Sequence, residues 1–139
     1  FEKSLLEIIS TPPKKALILG TGGASSAVAF VMKKLNIEFS YISRSAGANT
    51  IKYKKVDEKV MDEYQLIINA SPLGTFPDVE LAPQLPYSFL THDHVLFDLI
   101  YNPPETRFLQ EGKKRGCKTL NGQKMLEYQA EKSWQIWNQ

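Results

Sequence analysis

The run Ala16-Leu17-Ile18-Leu19 contains no polar residue and ends in Gly20-Thr21-Gly22-Gly23. It then gives way to small and apolar residues (Ala24, Ala27, Val28, Phe30, Val31, Leu35) spaced as on a helix. A strand that is apolar on both alternating faces must be covered on both, which is the situation of a central parallel strand between two layers of helices. The stretch predicts a strand, a tight glycine turn and a helix from Gly23 to Leu35, with Gly23 and Ala27 giving the smallness for close helix–strand packing and Asn36 as the stop. That unit constrains the rest of the chain, because a buried parallel strand needs parallel neighbours on either side.

The remaining sequence supplies them. Short apolar runs at 39–43, 51–53, 66–70, 95–100 and 118–120 predict further strands. Helices are predicted over 1–9, where Leu5, Ile8 and Ile9 share a stripe that Thr11-Pro12-Pro13 stops, and over 57–63, 105–115 and 122–137. Asp57 and Asn121 read as caps and Gly116 as a stop. Leu73 to His94, with Pro77, Pro83 and Pro86, reads as a long irregular connection. The predicted fold is α/β: a Rossmann-like, doubly wound parallel sheet of about six strands with helices on both faces. All 139 residues form one domain, with 1–13 as an entry helix and linker and 122–137 as a helix returning to a hinge.

Composition excludes several functions. Seventeen basic residues against 15 acidic give a net charge of +2, too balanced for a nucleic-acid or membrane footprint. The single Cys117 excludes a disulfide framework and fits a reducing, cytoplasmic setting. No apolar run approaches the ~18 residues of a membrane span. Phe1 to Ile9 lacks the basic head and apolar block of a signal peptide, and with no initiator Met the chain reads as a piece of a longer protein.

The glycine turn carries chemistry. Gly20 permits the tight turn, Gly22 leaves room for a pyrophosphate, and the helix starting at Gly23 directs free N–H groups and its positive dipole end at the phosphates. An ordinary glycine turn accounts for the glycines alone, and Ser25 occupies the third glycine position of the usual pattern. The strand before and the helix after favour dinucleotide binding. A Walker-type loop is excluded, since no Gly-Lys-Ser/Thr follows. An NAD site places Asp or Glu about 20 residues beyond the turn. This chain has Ser43-Arg44-Ser45 there and no acid until Asp57. A guanidinium pairs with a 2′-phosphate that a carboxylate would repel, so the cofactor predicted is NADP(H).

The chain resembles the C-terminal, NADP-binding domain of the shikimate dehydrogenase family. The resemblance rests on Gly20-x-Gly22-Gly23-x-x-x-Ala27, Ser43-Arg44-Ser45 in place of an Asn-Arg-Thr clamp, Asn69-Ala70-Ser71-Pro72-Leu73-Gly74, Asp98-x-x-Tyr101-x-Pro103 with Thr106, and Asn121-Gly122-x-x-Met125-Leu126-x-x-Gln129. It implies reversible hydride transfer between NADPH and the C3 carbonyl of 3-dehydroshikimate, giving shikimate. It places Gly20, Thr21, Gly22, Gly23, Ala24, Ser43, Arg44, Ser45, Asn69, Ala70, Ser71, Leu99, Gly122 and Met125 at the cofactor, and Tyr101 and Gln129 at the substrate. The family's catalytic Lys and Asp belong to an N-terminal domain that precedes the residue matched by Phe1, so none is assigned in this chain. Two departures stand out. Thr75 replaces the usual Met, and no second basic residue follows the clamp at Ala46-Gly47-Ala48, leaving Lys52 as a substitute.

Other candidates are weaker. His92-Asp93-His94 is too sparse for a metal site and reads as a polar loop. Asn69 reads either as a ligand contact or as a satisfied loop amide, and Cys117 as a buried small residue. Trp134, Ile136 and Trp137 read as core or interface packing, and part of the apolar face carrying Leu5, Ile8, Trp134 and Trp137 is expected to lie open. A quinate/shikimate paralogue and a non-catalytic dinucleotide sensor are the competing functions. The assembly expected is a monomer or homodimer.

Overall fold

A computed structural model describes residues 1–11, 13–20, 22–45 and 47–138, so Pro12, Thr21, Ala46 and Gln139 lie outside the described residues. Strands β1 (Lys15–Leu19), β2 (Glu38–Ser43), β3 (Thr50–Lys52), β4 (Leu66–Asn69), β5 (Val95–Asp98) and β6 (Lys118–Leu120) form one sheet in the order β3-β2-β1-β4-β5-β6. Every neighbouring pair is parallel. This is the doubly wound order in which the chain leaves β1 toward one edge and returns to β4 on its other side.

The strand period of two splits the core cleanly. Leu17, Leu19, Ile67 and Leu96 face one way, beneath α3 (Glu58–Glu63), α4 (Arg107–Lys114) and the connection bearing Leu85 and Leu90. Ala16, Ile18, Leu66, Ile68 and Phe97 face the other way, beneath α1 (Glu2–Ile8) and α2 (Gly23–Lys34). The last helix is α5 (Gln123–Trp137), and none of the described helices is long and apolar enough to cross a membrane.

The helix ends follow local chemistry. Asn36 adopts φ 59° after α2, so that its N–H reaches Lys33 O (3.2 Å) and Ile37 N–H reaches Met32 O (2.9 Å), closing the orphan carbonyls. Asp57 caps α3 by accepting from Val60 N at 3.0 Å. The fourth helix starts two residues later than its pattern suggests, because Thr106 caps it, accepting from Leu109 N at 3.2 Å. Asn121 accepts from Gln123 N (2.9 Å) one residue ahead of the N-cap Gly122.

Two expectations need correction. Gly23 and Ala27 are exposed, and a Cβ on Gly23 would meet nothing within 4 Å; the buried face of α2 carries Ser25, Val28, Ala29 and Met32, so Ser25, and neither Gly23 nor Ala27, makes the close packing. Trp134, Ile136 and Trp137 are 66%, 59% and 87% exposed, so the core reading of them falls, while the face expected to lie open in part does so at Trp134 and Trp137, with Leu5 buried and Ile8 half-buried. The connection from β2 to β3 is also short: residues 44–49 suffice, with Asn49 at φ 54° accepting Tyr41 N on its carbonyl (2.9 Å) and donating its amide to Phe39 O (2.8 Å).

Candidate functional site

The carboxyl ends of β1 and β4 meet where the strand order reverses, the place where an open α/β sheet leaves a crevice for ligands. Gly20 ends β1 at φ +107°, a conformation few side chains tolerate. A Cβ there would lie 3.2 Å from Ser25 Oγ and 3.3 Å from both Ala70 O and Ser71 N. The two turns therefore touch through Gly20, and its N–H is held by Ile42 O at 3.1 Å.

Beyond this contact the surface opens. A Cβ on Gly22 or Gly23 would meet nothing within 4 Å, and Ala24 is exposed beside them. Gly22 is the N-cap of α2 and offers no side chain to its first N–H groups. Ser25 is completely buried at this turn, and its hydroxyl has no hydrogen-bond partner among the described residues. Backbone donors unclaimed among the described residues, a positive helix end and clear space fit a pyrophosphate. Thr21, expected in the same set, lies outside the described residues.

The second wall is the turn after β4. Asn69 is fully buried. Its Oδ1 accepts from Ser71 N (3.1 Å) and Ser71 Oγ (2.6 Å), and its Nδ2 donates to Leu73 O (3.3 Å) and Asp98 Oδ1 (3.2 Å). Of the two readings of this residue, the geometry is that of the satisfied amide: with both atoms engaged inside the protein, Asn69 holds the turn and has no side-chain valence left for a ligand. Ala70 and Ser71 are half-buried at the surface of that turn.

Arg44 is exposed at the end of β2, between half-buried Ser43 and exposed Ser45, whose N–H donates to Ser43 Oγ at 3.3 Å. Together with Tyr53, Leu73, Leu81, Ala82 and Gln84 it lines a cavity of about 410 Å³. Burial raises the Tyr53 phenol above its ordinary range, and the Arg44 guanidinium pulls it partly back. The residue that joins Arg44 at the cavity is thus Tyr53, where the sequence had offered its neighbour Lys52. Leu81, Ala82 and Gln84 come from the irregular connection, whose lack of periodicity gave no signal.

At the other end of the cleft, Leu99 and Met125 are half-buried and Gly122 is buried. A Cβ on Gly122 would lie 2.7 Å from the Leu99 carbonyl carbon and nearer still to its oxygen, so the start of α5 is pressed on the end of β5 by backbone alone. Tyr101 (46% exposed) and Gln129 are open to solvent beside this junction and on α5 respectively. Asp98 lies below, fully buried, accepting from Asn69 Nδ2, from Ile100 N (3.0 Å) and from Thr106 Oγ1 (2.7 Å). Burial raises its carboxyl to about 6 against the pull of these donors.

The histidines lie at the opposite, amino-terminal end of the strands, just before β5. His94 is buried; its Nδ1 accepts from Thr91 N (3.0 Å), which leaves Nε2 as the donor to Met61 O (2.7 Å). Among the described residues no cluster of His, Cys, Asp and Glu could hold a metal. Cys117 is buried as expected, its thiol directed at Thr91 O.

No protein-family model matches the chain. The shikimate dehydrogenase (NADP(+)) of Methanococcus maripaludis is 38% identical over 138 residues, which span 89% of this chain and 49% of that protein. The solved structure of shikimate dehydrogenase 1 from Peptoclostridium difficile is 36% identical with a TM-score of 0.79, covering 98% of this chain and 52% of the other. That of the Thermus thermophilus shikimate 5-dehydrogenase, in complex with NADP(H) and shikimate, is 29% identical with a TM-score of 0.76, covering 98% and 55%. The chain spans about half the length of the relatives it matches. It is a homologue of the shikimate dehydrogenases, alike in sequence and in fold over about nine-tenths of its own residues.

Proposed function

We propose that this chain is the NADP(H)-binding half of a shikimate dehydrogenase, acting in the reversible reduction of 3-dehydroshikimate to shikimate. The observation that carries the reading is the open turn at Gly22-Gly23, facing free α2 N–H groups, with Arg44 and no carboxylate at the end of β2. In this reading the N–H groups of Gly22, Gly23 and Ala24 hold the pyrophosphate. Arg44, with Ser43 and Ser45, holds the 2′-phosphate. The cavity of Tyr53 and Leu73 takes the adenosine, and the turn after β4 with Leu99, Gly122 and Met125 flanks the nicotinamide. The bound cofactor supplies the hydride. Tyr101 and Gln129 offer hydrogen bonds to the substrate.

The acid/base group and most substrate contacts come from the half of the relatives' length that this chain does not span. In this reading that half joins on the side of the helices α1 and α5, which touch each other. They are clasped to each other by Lys124–Glu7 (3.3 Å), by a Tyr128–Glu7 hydrogen bond and by Lys3 over the Tyr128 ring (4.2 Å). The test is calorimetric titration with NADP⁺ and NAD⁺ of the wild type and of Arg44→Ala. A charged hydrogen bond contributes ~1.5–3 kcal/mol, so the variant should bind NADP⁺ roughly 10- to 100-fold more weakly with NAD⁺ unchanged. Equal losses for both cofactors would remove Arg44 from the 2′-phosphate.

A further inference from the structure

The Asp98 carboxylate is set below the cleft without a cation. It is fully buried, and its partners are an amide, a backbone N–H and a hydroxyl. Tyr87, on the short turn Tyr87–Phe89, feels the charge of Asp98 together with those of Glu111 and Arg107, but its hydroxyl donates to Pro83 O and burial keeps it uncharged at neutral pH. An uncharged asparagine is the cheaper occupant of such a place. The carboxylate has one property the amide lacks: it accepts from all three donors at once. With an amide there, the Thr106 hydroxyl, already accepting from Leu109 N, would face an N–H₂ and lose the acceptor for its own proton.

Those donors belong to three separate elements. Asn69 ends β4, Ile100 follows β5, and Thr106 caps α4. Through Asn69 the connection continues to Ser71 and Leu73, hence to the turn that touches Gly20 and to the Leu73 wall of the Arg44 cavity. We propose that Asp98 is a positioning residue for the dinucleotide: acting through Asn69, its carboxylate presets the turn after β4 against the Gly20 turn, at the expense of folded-state stability. The inference rests on the cofactor reading above. Burial brings the titration of Asp98 to about 6. A carboxylic acid accepts less strongly, and its added proton meets two groups that only donate, Asn69 Nδ2 and Ile100 N, and a Thr106 hydroxyl that must give up its own donation to take it, so the turn loosens as pH falls below that point.

The experiment compares wild type with Asp98→Asn and Thr106→Val, measuring NADP⁺ affinity by calorimetry from pH 5 to 8.5 and stability by urea unfolding. The cofactor's own 2′-phosphate titrates alike for every variant, so ratios of affinities isolate the protein. Asp98→Asn should be at least as stable as wild type at pH 7.5, yet bind NADP⁺ roughly tenfold more weakly there, the ratio closing toward one at pH 5. Thr106→Val removes a donor that favours the carboxylate, so its loss of affinity on acidification should begin at higher pH than in the wild type. The proposal falls if Asp98→Asn binds as tightly as wild type at pH 7.5, or more weakly by the same factor at both pH values. If Asp98→Asn does not fold, an unmoved inflection in Thr106→Val overturns it. Failure of the wild type to bind NADP⁺ would instead overturn the cofactor reading.

Discussion

Two glycines of the cleft, Gly22 and Gly122, should respond to substitution in opposite ways. At Gly122 a Cβ would be pressed 2.7 Å from the Leu99 carbonyl carbon, against an ordinary C···O approach of about 3.3–3.6 Å for the adjoining oxygen. Both sides of that contact are backbone, so no rotamer change relieves it. The two segments must part by about an ångström, which breaks the Gly122 N–H bond to Ile100 O, now 3.0 Å. Overpacking costs ~1–3 kcal/mol and a lost backbone hydrogen bond ~1 kcal/mol more, so Gly122→Ala should lose about 3 kcal/mol. For a domain of this size that lowers Tm by roughly 10 °C. At Gly22 nothing lies within 4 Å and the backbone, at φ −82° and ψ −165°, suits any residue. Gly22→Val should therefore unfold within a few degrees of the wild type while losing NADP⁺, because its side chain fills the place of the pyrophosphate. Thermal unfolding and calorimetric titration of the two variants read both effects. A wild-type Tm in Gly122→Ala would refute the backbone approach, and retained affinity in folded Gly22→Val would refute the phosphate turn.

Asp98 also predicts a pH dependence of stability. Its folded-state value of about 6 lies above the usual 3.8, so between these pH values the folded chain holds a proton that the unfolded chain has released. Its contribution is most favourable below about pH 4 and is lost as pH rises through 6, a change of about 3 kcal/mol. Urea unfolding at pH 4.5 and 7.5 should show the stability of Asp98→Asn gaining on wild type by up to that amount as pH rises, and a constant difference would contradict it. NADPH formation at high shikimate should be absent with this chain alone, since neither Tyr101 nor Gln129 can replace a positioned acid/base group. Turnover by the purified chain would mean that the catalytic group lies within it.

The central strands were readable because their burial is unbroken. Ala16–Leu19 and Leu66–Ile68 have every residue inside, and a run without polar interruption admits no other placement. The phase of α2 was available too: 25, 28, 29 and 32 are spaced three, four and seven apart, which puts Ala27 on the outer face whatever its size. Reading Ala27 by smallness alone overlooked that phase. For the aromatic end of α5 the sequence left core and interface packing both open. Trp134 and Trp137 are spaced as on a packed stripe, but α5 has no buried residue at all, and a stripe in the sequence does not say whether protein lies opposite it. The walls of the Arg44 cavity were not legible, because Tyr53 sits in a one-turn segment and Leu81, Ala82 and Gln84 in a connection without period. Asn69 was found by motif, but its role depends on Asp98, 29 residues on, and a buried pair joined across two strands leaves no mark at local spacing.

The cleft divides into parts that the fold fixes and parts that it leaves free. Gly20 against Ala70 and Ser71, and Gly122 against Leu99, are contacts of backbone on backbone, while the Asn69–Asp98–Thr106 bonds are buried and mutually dependent. Parting either backbone contact alters the spacing of the strand ends and so reaches the folded state. Arg44, Ser45, Tyr101 and Gln129 are exposed side chains on that frame. Surface substitutions away from special backbone features stay within about 0.5 kcal/mol of wild-type stability. In the proposed reading, the place of the dinucleotide is set by the backbone contacts of this frame, and the choice of dinucleotide and substrate by exposed residues that can vary cheaply. Arg44 is the sharpest case. It ends a strand whose connection to the next needs only residues 44–49, closed by Asn49 and not by Arg44. Exchanging it for a carboxylate should leave the fold intact and turn the preference from a 2′-phosphate toward a free ribose hydroxyl.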